Sequence, residues 1–317
     1  MSGPQTHPYH LVNPSPWPLL ASLGFLLTVG GAAFYFHNKP GAEYVMIGGL
    51  LFLLYIGFRW WRDVVREGAI DHAHTSPVQK GMRVGMAFFI ASEVMFFFAF
   101  FFSFFHNAFL PMEILEGAWP VKEGVFPPAG THTLDPWEFP LFNTLLLLLS
   151  GTTVTWAHAA LLNGDQKNLI RGLICTIVLG FSFSCVQAYE YSHAVHAFGF
   201  KSGTYASNFY MATGFHGLHV LIGTIFLTVC LIRAKKGQFS EKHHLGFEFA
   251  AWYWHFVDVV WLFLFVFVYC GLANSLMPTF EAVFTGRNIG IAFVLSLIYA
   301  VYAGFKLVTR GLPRMGH

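Results

Sequence analysis

A carboxyl group surrounded by phenylalanine is the first chemistry in the chain. In the run MAFFIASEVMFFFAFFFSFF at 86–105, Glu93 is the one ionisable residue. Placing Asp, Lys or Arg at the centre of a hydrocarbon layer costs about 2.5 to 3.5 kcal/mol on insertion scales, so an ionisable group held there is a functional hypothesis by default. Glu93 is expected to carry a proton, and either to exchange it or to bond to a neighbouring helix. A second group lies in HLGFEFAAWYWHFVDVVW at 244–261. There Glu248 and His255 are two turns apart on one face, and His255 and Asp258 are i, i+3 neighbours. That spacing suits a proton relay, a metal site or an interhelical hydrogen-bond network. His216 and His219, together with His158, raise haem ligation against a structural role, since a haem bundle needs histidines facing each other at matching depth. Arg59, Trp60, Trp61, Arg62, Arg66 and Glu67, with His74 and Arg233, suit either an anionic lipid site or an ordinary aromatic and cationic belt. Cys175, Cys185, Cys230 and Cys270 show no CxxC or His-Cys spacing and read as buried thiols.

The elements that position these groups are apolar runs about 20 residues long, the length that crosses a bilayer. Eight are predicted, at 17–37, 43–61, 82–106, 139–162, 169–191, 205–232, 245–272 and 289–308. Composition agrees: 55% of the 317 residues are hydrophobic, and only 11% are charged against about 25% in soluble domains. Such a chain cannot cover a globule with polar surface. Unbroken rather than alternating runs select helices over a barrel. A soluble enzyme, a disordered chain and a disulfide scaffold are excluded, and a net charge of +2 gives no sign of a nucleic-acid partner. The segment 1–17 has no basic n-region and is broken by prolines, unlike a cleaved signal.

With the N-terminus inside, fourteen of the eighteen Lys and Arg fall in inner loops or adjoining helix ends, and only Lys39, Lys122, Lys201 and Arg287 fall outside. The positive-inside rule then predicts eight spans with both termini cytoplasmic or in the matrix. The outer segment 108–138 is acidic, which suits a solvated loop or a docking surface for a cationic partner. The polar link at 273–288 sets the last span apart from the rest.

Six motifs then go beyond what chemistry alone explains: HLVNPSPWP at 10–18, WWRDVVRE at 60–67, SEVMF at 92–96, TWAH at 155–158, ATGFHGLH at 212–219 and AAWYWHFVDVVWLF at 250–263. In this order, over about 7–269, the chain resembles cytochrome c oxidase subunit III. The resemblance implies an all-α polytopic membrane bundle of seven helices, a two-helix and a five-helix bundle with a lipid-filled V-shaped cleft. It implies a family domain at 1–270 and, at 271–317, an extension with an eighth spanning helix that the family pattern does not supply. The implied function is a non-redox core subunit of a proton-pumping cytochrome c oxidase that reduces oxygen to water. No redox cofactor is implied in this chain, and haem and copper belong to partner subunits. Subunit I is the main implied contact, with subunit II beside it and cytochrome c reached through the complex. The extra helix offers a contact to another subunit or respiratory complex. By the same resemblance, Trp61, Arg66 and Glu67, with His74 and Arg233, hold anionic or zwitterionic phospholipid. Glu93 matches the carbodiimide-reactive carboxyl, His7 and His10 match proton-gathering histidines, and His216, His219, Glu248, His255 and Asp258 are left as a structural polar network. QAYEYSHA at 187–194 resembles the alphaproteobacterial branch, which implies a bacterial inner membrane, with a mitochondrial inner membrane as the alternative. A stand-alone proton-coupled carrier is the competing function; the absence of an inverted repeat weighs against it.

Overall fold

The computed structural model describes residues 9–10, 14–71, 73–109 and 133–270, and these are helical with no strand among them. The helices are α1 (Trp17–Phe36), α2 (Ala42–Ala69), α3 (Ser76–Phe109), α4 (Phe139–Leu162), α5 (Gln166–Ala197), α6 (Thr204–Lys235) and α7 (Leu245–Phe263), the last continued by a π-helical turn at Leu264–Tyr269. All seven are long and apolar enough to cross a membrane. They coincide with the first seven predicted spans. The predicted eighth span, 289–308, and the extension 271–317 lie outside the described residues. Several helices outrun the apolar stretch that announced them. α2 continues through Arg62, Asp63, Arg66 and Glu67 to Ala69, because a hydropathy window stops where charges begin, whereas the backbone ladder does not.

The chain divides into two compact units, residues 1–85 and 86–317. In the first, α1 and α2 form a hairpin joined through Asn38 and Gly41, both at positive φ. Lipid tails are as apolar as leucine, so helices in a membrane associate by close packing of small residues. Here a Cβ added at Gly31 would lie 2.5 Å from the backbone nitrogen of Met46, and one at Gly49 would lie 2.6 Å from that of Thr28. Backbone therefore meets backbone at two levels of the hairpin.

The second unit contains α4 to α7 and the greater part of α3. Its centre is Trp254, fully buried. Its indole nitrogen donates to Ser150 at 2.8 Å, and a Cβ at Gly180 or Gly223 would come within 2.5 or 2.8 Å of the ring. One turn pair further on, the buried Trp261 donates to Thr144 at 2.9 Å. α3 lies along this core through a stripe at every fourth residue. Phe89 stacks on Tyr253, while Phe97, Phe101 and Phe105 meet Phe256, Phe263 and Phe267.

Candidate functional site

Glu93 belongs to that stripe, between Phe89 and Phe97, and this position turns its carboxyl toward α6. Its Oε2 lies 2.8 Å from His219 Nε2. The other imidazole nitrogen, Nδ1, is 2.6 Å from the Phe215 carbonyl, which can only accept, so Nδ1 carries a hydrogen and donates it. The Glu93 contact then needs one more proton, supplied either by a carboxylic acid or by a doubly protonated imidazole. One proton thus sits between the two side chains. Rings surround the imidazole: Phe97 lies 4.9 Å and Phe96 6.0 Å from the His219 ring, with Tyr253 stacked at 6.3 Å. In such low-dielectric surroundings the hydrogen bond is strong, and leaving either partner unpaired is costly.

In the first unit the structure brings His10, Glu67 and His74 together. His10 Nε2 is 3.5 Å from Glu67 Oε2, and the two imidazoles approach edge to face at 6.0 Å. His74 is wedged where a Cβ at Gly68 would lie 2.7 Å from its Nδ1. Burial, and then the neighbouring His10, hold the His74 pKa below its usual 6.5, with Glu67 opposing. One helical turn back, Trp17 donates to Asp63 at 2.8 Å and Arg59 lies 5.5 Å above the Trp17 ring. Trp61 is 71% exposed and Arg66 is exposed. Arg233 belongs to the other unit, where it lies over Phe239 at 4.6 Å and donates to Gln238. His7 lies outside the described residues.

His255 and Asp258 of α7 point toward α4. His255 contacts Asp258 Oδ2 at 3.4 Å and Thr155 at 3.2 Å, and the Asp258 carboxylate fills the space left by Gly151. Glu248 is buried on the same helix. His216 donates from Nε2 to the Val257 carbonyl at 3.1 Å. His158 has the His244 and Phe247 rings beside it. Among the described residues no group of three or more His, Cys, Asp or Glu is placed to hold a metal ion. Sequence reasoning passed over one buried carboxyl: Glu190, 2% exposed, accepts from Tyr269 at 2.7 Å. The signal was there, an ionisable residue in an apolar span, but Glu190 sits at the edge of the predicted 169–191 run.

The family model for cytochrome c oxidase subunit III matches residues 7–271. A probable cytochrome c oxidase subunit 3 of Rickettsia bellii is 55% identical over 267 residues, covering 84% of this chain and 96% of that protein. The cytochrome c oxidase subunit 3 proteins of Triticum aestivum and Carassius auratus are 52% and 51% identical over 265 residues, each covering 84% of this chain and 97% of the relative. Relatives this similar, aligned over nearly their whole length in bacteria, plants and animals, leave one reading of the seven-helix bundle: the chain belongs to the cytochrome c oxidase subunit III family, a subunit of an oxidoreductase complex of the respiratory chain.

Proposed function

We propose that this chain is the non-redox core subunit of a proton-pumping cytochrome c oxidase, that it stabilises subunit I, holds phospholipid, and supports proton uptake through Glu93. The observation that carries the proton role is the Glu93–His219 contact, where fixing His219 Nδ1 on the Phe215 carbonyl leaves one proton at the carboxyl side. The exposed Trp61 and Arg66 at one end of α2 support headgroup binding, with Glu67, His74 and, from the other unit, Arg233 as further contacts. His7 and His10 gather protons in this reading; the 3.5 Å approach of His10 to Glu67 keeps an imidazole beside a carboxylate. Both termini lie on the cytoplasmic face of a bacterial inner membrane, the arrangement that the bias of Lys and Arg supports. The family domain at 1–270 contacts subunits I and II and meets cytochrome c through the complex, while 271–317 serves a further subunit or complex. No observation favours the stand-alone carrier.

Glu93→Gln in the assembled oxidase tests the proton role. The amide keeps the shape and the hydrogen bond but cannot titrate. Proton uptake is expected to fall with assembly intact, by less than the roughly 100-fold of an obligatory proton-transfer group. Unchanged pumping and assembly would leave Glu93 a structural hydrogen bond. For lipid, Arg66→Ala removes about 1 kcal/mol of headgroup attraction, roughly a fivefold loss of occupancy. Unchanged lipid content by mass spectrometry would remove Arg66 from the site.

A further inference from the structure

The seam between α4 and α7 carries more titratable chemistry than packing requires. On α7 and its N-cap, His244, Glu248, Ala251, His255 and Asp258 follow the alternating spacing of four and three that keeps residues on one stripe. On α4, Gly151, Thr155 and His158 do the same. The two stripes face each other at both ends. The His158 and His244 rings lie 5.5 Å apart at the loop end, and deeper in, Thr155 and Gly151 meet His255 and Asp258. From the loop end, His158 also interacts electrostatically with Glu248 and His255.

Two atoms on this line are enclosed and without a hydrogen-bond partner: His158 Nε2 and Asp258 Oδ1. Buried polar atoms are nearly always partnered, and where protein does not supply the partner ordered water does. Glu248 and His255 are about 10 Å apart along the axis, too far for direct transfer, so a proton passing between them needs water as the carrier. An open depression of about 430 Å³ lies in the adjoining loops, bordered by Leu161, Gly164, Ser240, Glu241 and His243, the last being the residue before His244.

The inner end has a defined proton count. Thr155 donates its hydroxyl hydrogen to the Gly151 carbonyl at 2.9 Å, so at the 3.2 Å contact His255 Nε2 is the donor. The 3.4 Å contact between His255 Nδ1 and Asp258 Oδ2 then holds one further proton, on nitrogen or on oxygen. No Lys or Arg occurs in 139–162 or 245–270 to neutralise a bare carboxylate. From α6, His216 is committed to the Val257 carbonyl and His219 to Glu93.

We propose that the α4–α7 seam is a proton half-channel that opens at His244, runs past His158 and Glu248 through buried water, and ends at the His255–Asp258 pair. Each step breaks one N–H or O–H bond and forms the next, so the proton taken from water at His244 reappears at the pair. The line is separate from Glu93. Only its assignment to the cytoplasmic side rests on the orientation proposed above.

Vibrational spectroscopy of the intact purified oxidase tests it. Asp258→Asn is expected to delete one carboxyl or imidazolium band, and in the wild type that band shifts rapidly on transfer to deuterated water. His158→Phe should retain the band but slow its isotope shift roughly a hundredfold, the scale of a lost proton-transfer group. Because the band itself reports an intact pair, slower exchange is not a folding effect. If His158→Phe loses the band, His244→Phe at the mouth makes the same test. Glu93→Gln should leave both band and exchange rate unchanged, whatever it does to pumping. No band lost in Asp258→Asn, or wild-type exchange in the blocked variants, would overturn the half-channel.

Discussion

Glu93 and His219 share one proton because the Phe215 carbonyl occupies the far side of the imidazole. His219→Phe is therefore expected to act in the same direction as Glu93→Gln and to destabilise by about 1 to 3 kcal/mol, since it strands a half-buried carboxyl. A double-mutant cycle on proton uptake should be strongly non-additive; simple additivity would mean the two groups act independently. His74 supplies a pH prediction. Its folded pKa lies below the usual 6.5, so the unfolded segment binds the proton more readily. Stability around His74 is then full above that value and falls as pH drops below it. Amide exchange over 66–76, corrected for intrinsic rate, should rise as pH falls below about 6.5, and His74→Asn should flatten that dependence. Glu93 was legible in the sequence because nothing else in its run ionises. Its partner was not, since His219 lies 126 positions away and periodicity on one helix says nothing about which helix it meets.

At the scale of elements, the hydropathy of the chain gave seven helices their places, and the small residues explain how they pair. Gly31→Ala or Gly49→Ala would push a methyl into backbone across the α1–α2 hairpin, where nothing can rotate away. The expected loss is about 1 to 3 kcal/mol, as for other overpacking changes, measured by the denaturant midpoint of the solubilised complex. Wild-type stability in both variants would show that the two helices are free to separate. In the second unit Trp254→Phe removes the indole bond to Ser150 and should cost about 0.6 kcal/mol, a typical interhelical hydrogen bond. Trp254→Ala empties the same space and should cost about 3 to 5 kcal/mol. The i, i+3 and i, i+7 pairs of α7 were legible from spacing alone. The facing stripe on α4 was not, because Gly151 and Thr155 carry no charge and show their role only once Asp258 lies against them. Helix ends were the least legible feature, since the charged last turns of α2 remain helical in water.

At the scale of the whole molecule, the seven spans and the family match describe one object, a helical membrane subunit that buries a few carboxyls while the Lys and Arg among the described residues stay at the surface. The relatives from Rickettsia bellii and Triticum aestivum share more than half their aligned residues with it. The buried carboxyls Glu190, Glu248 and Asp258, and the half-buried Glu93, stand where a purely structural bundle would place leucine. The most direct measurement is purification through an affinity tag on this chain in mild detergent, with an optical spectrum and mass spectrometry of the eluate. An oxidase haem spectrum with subunits I and II and retained phospholipid is the expected result; a colourless chain eluting alone would contradict the assignment to a terminal oxidase.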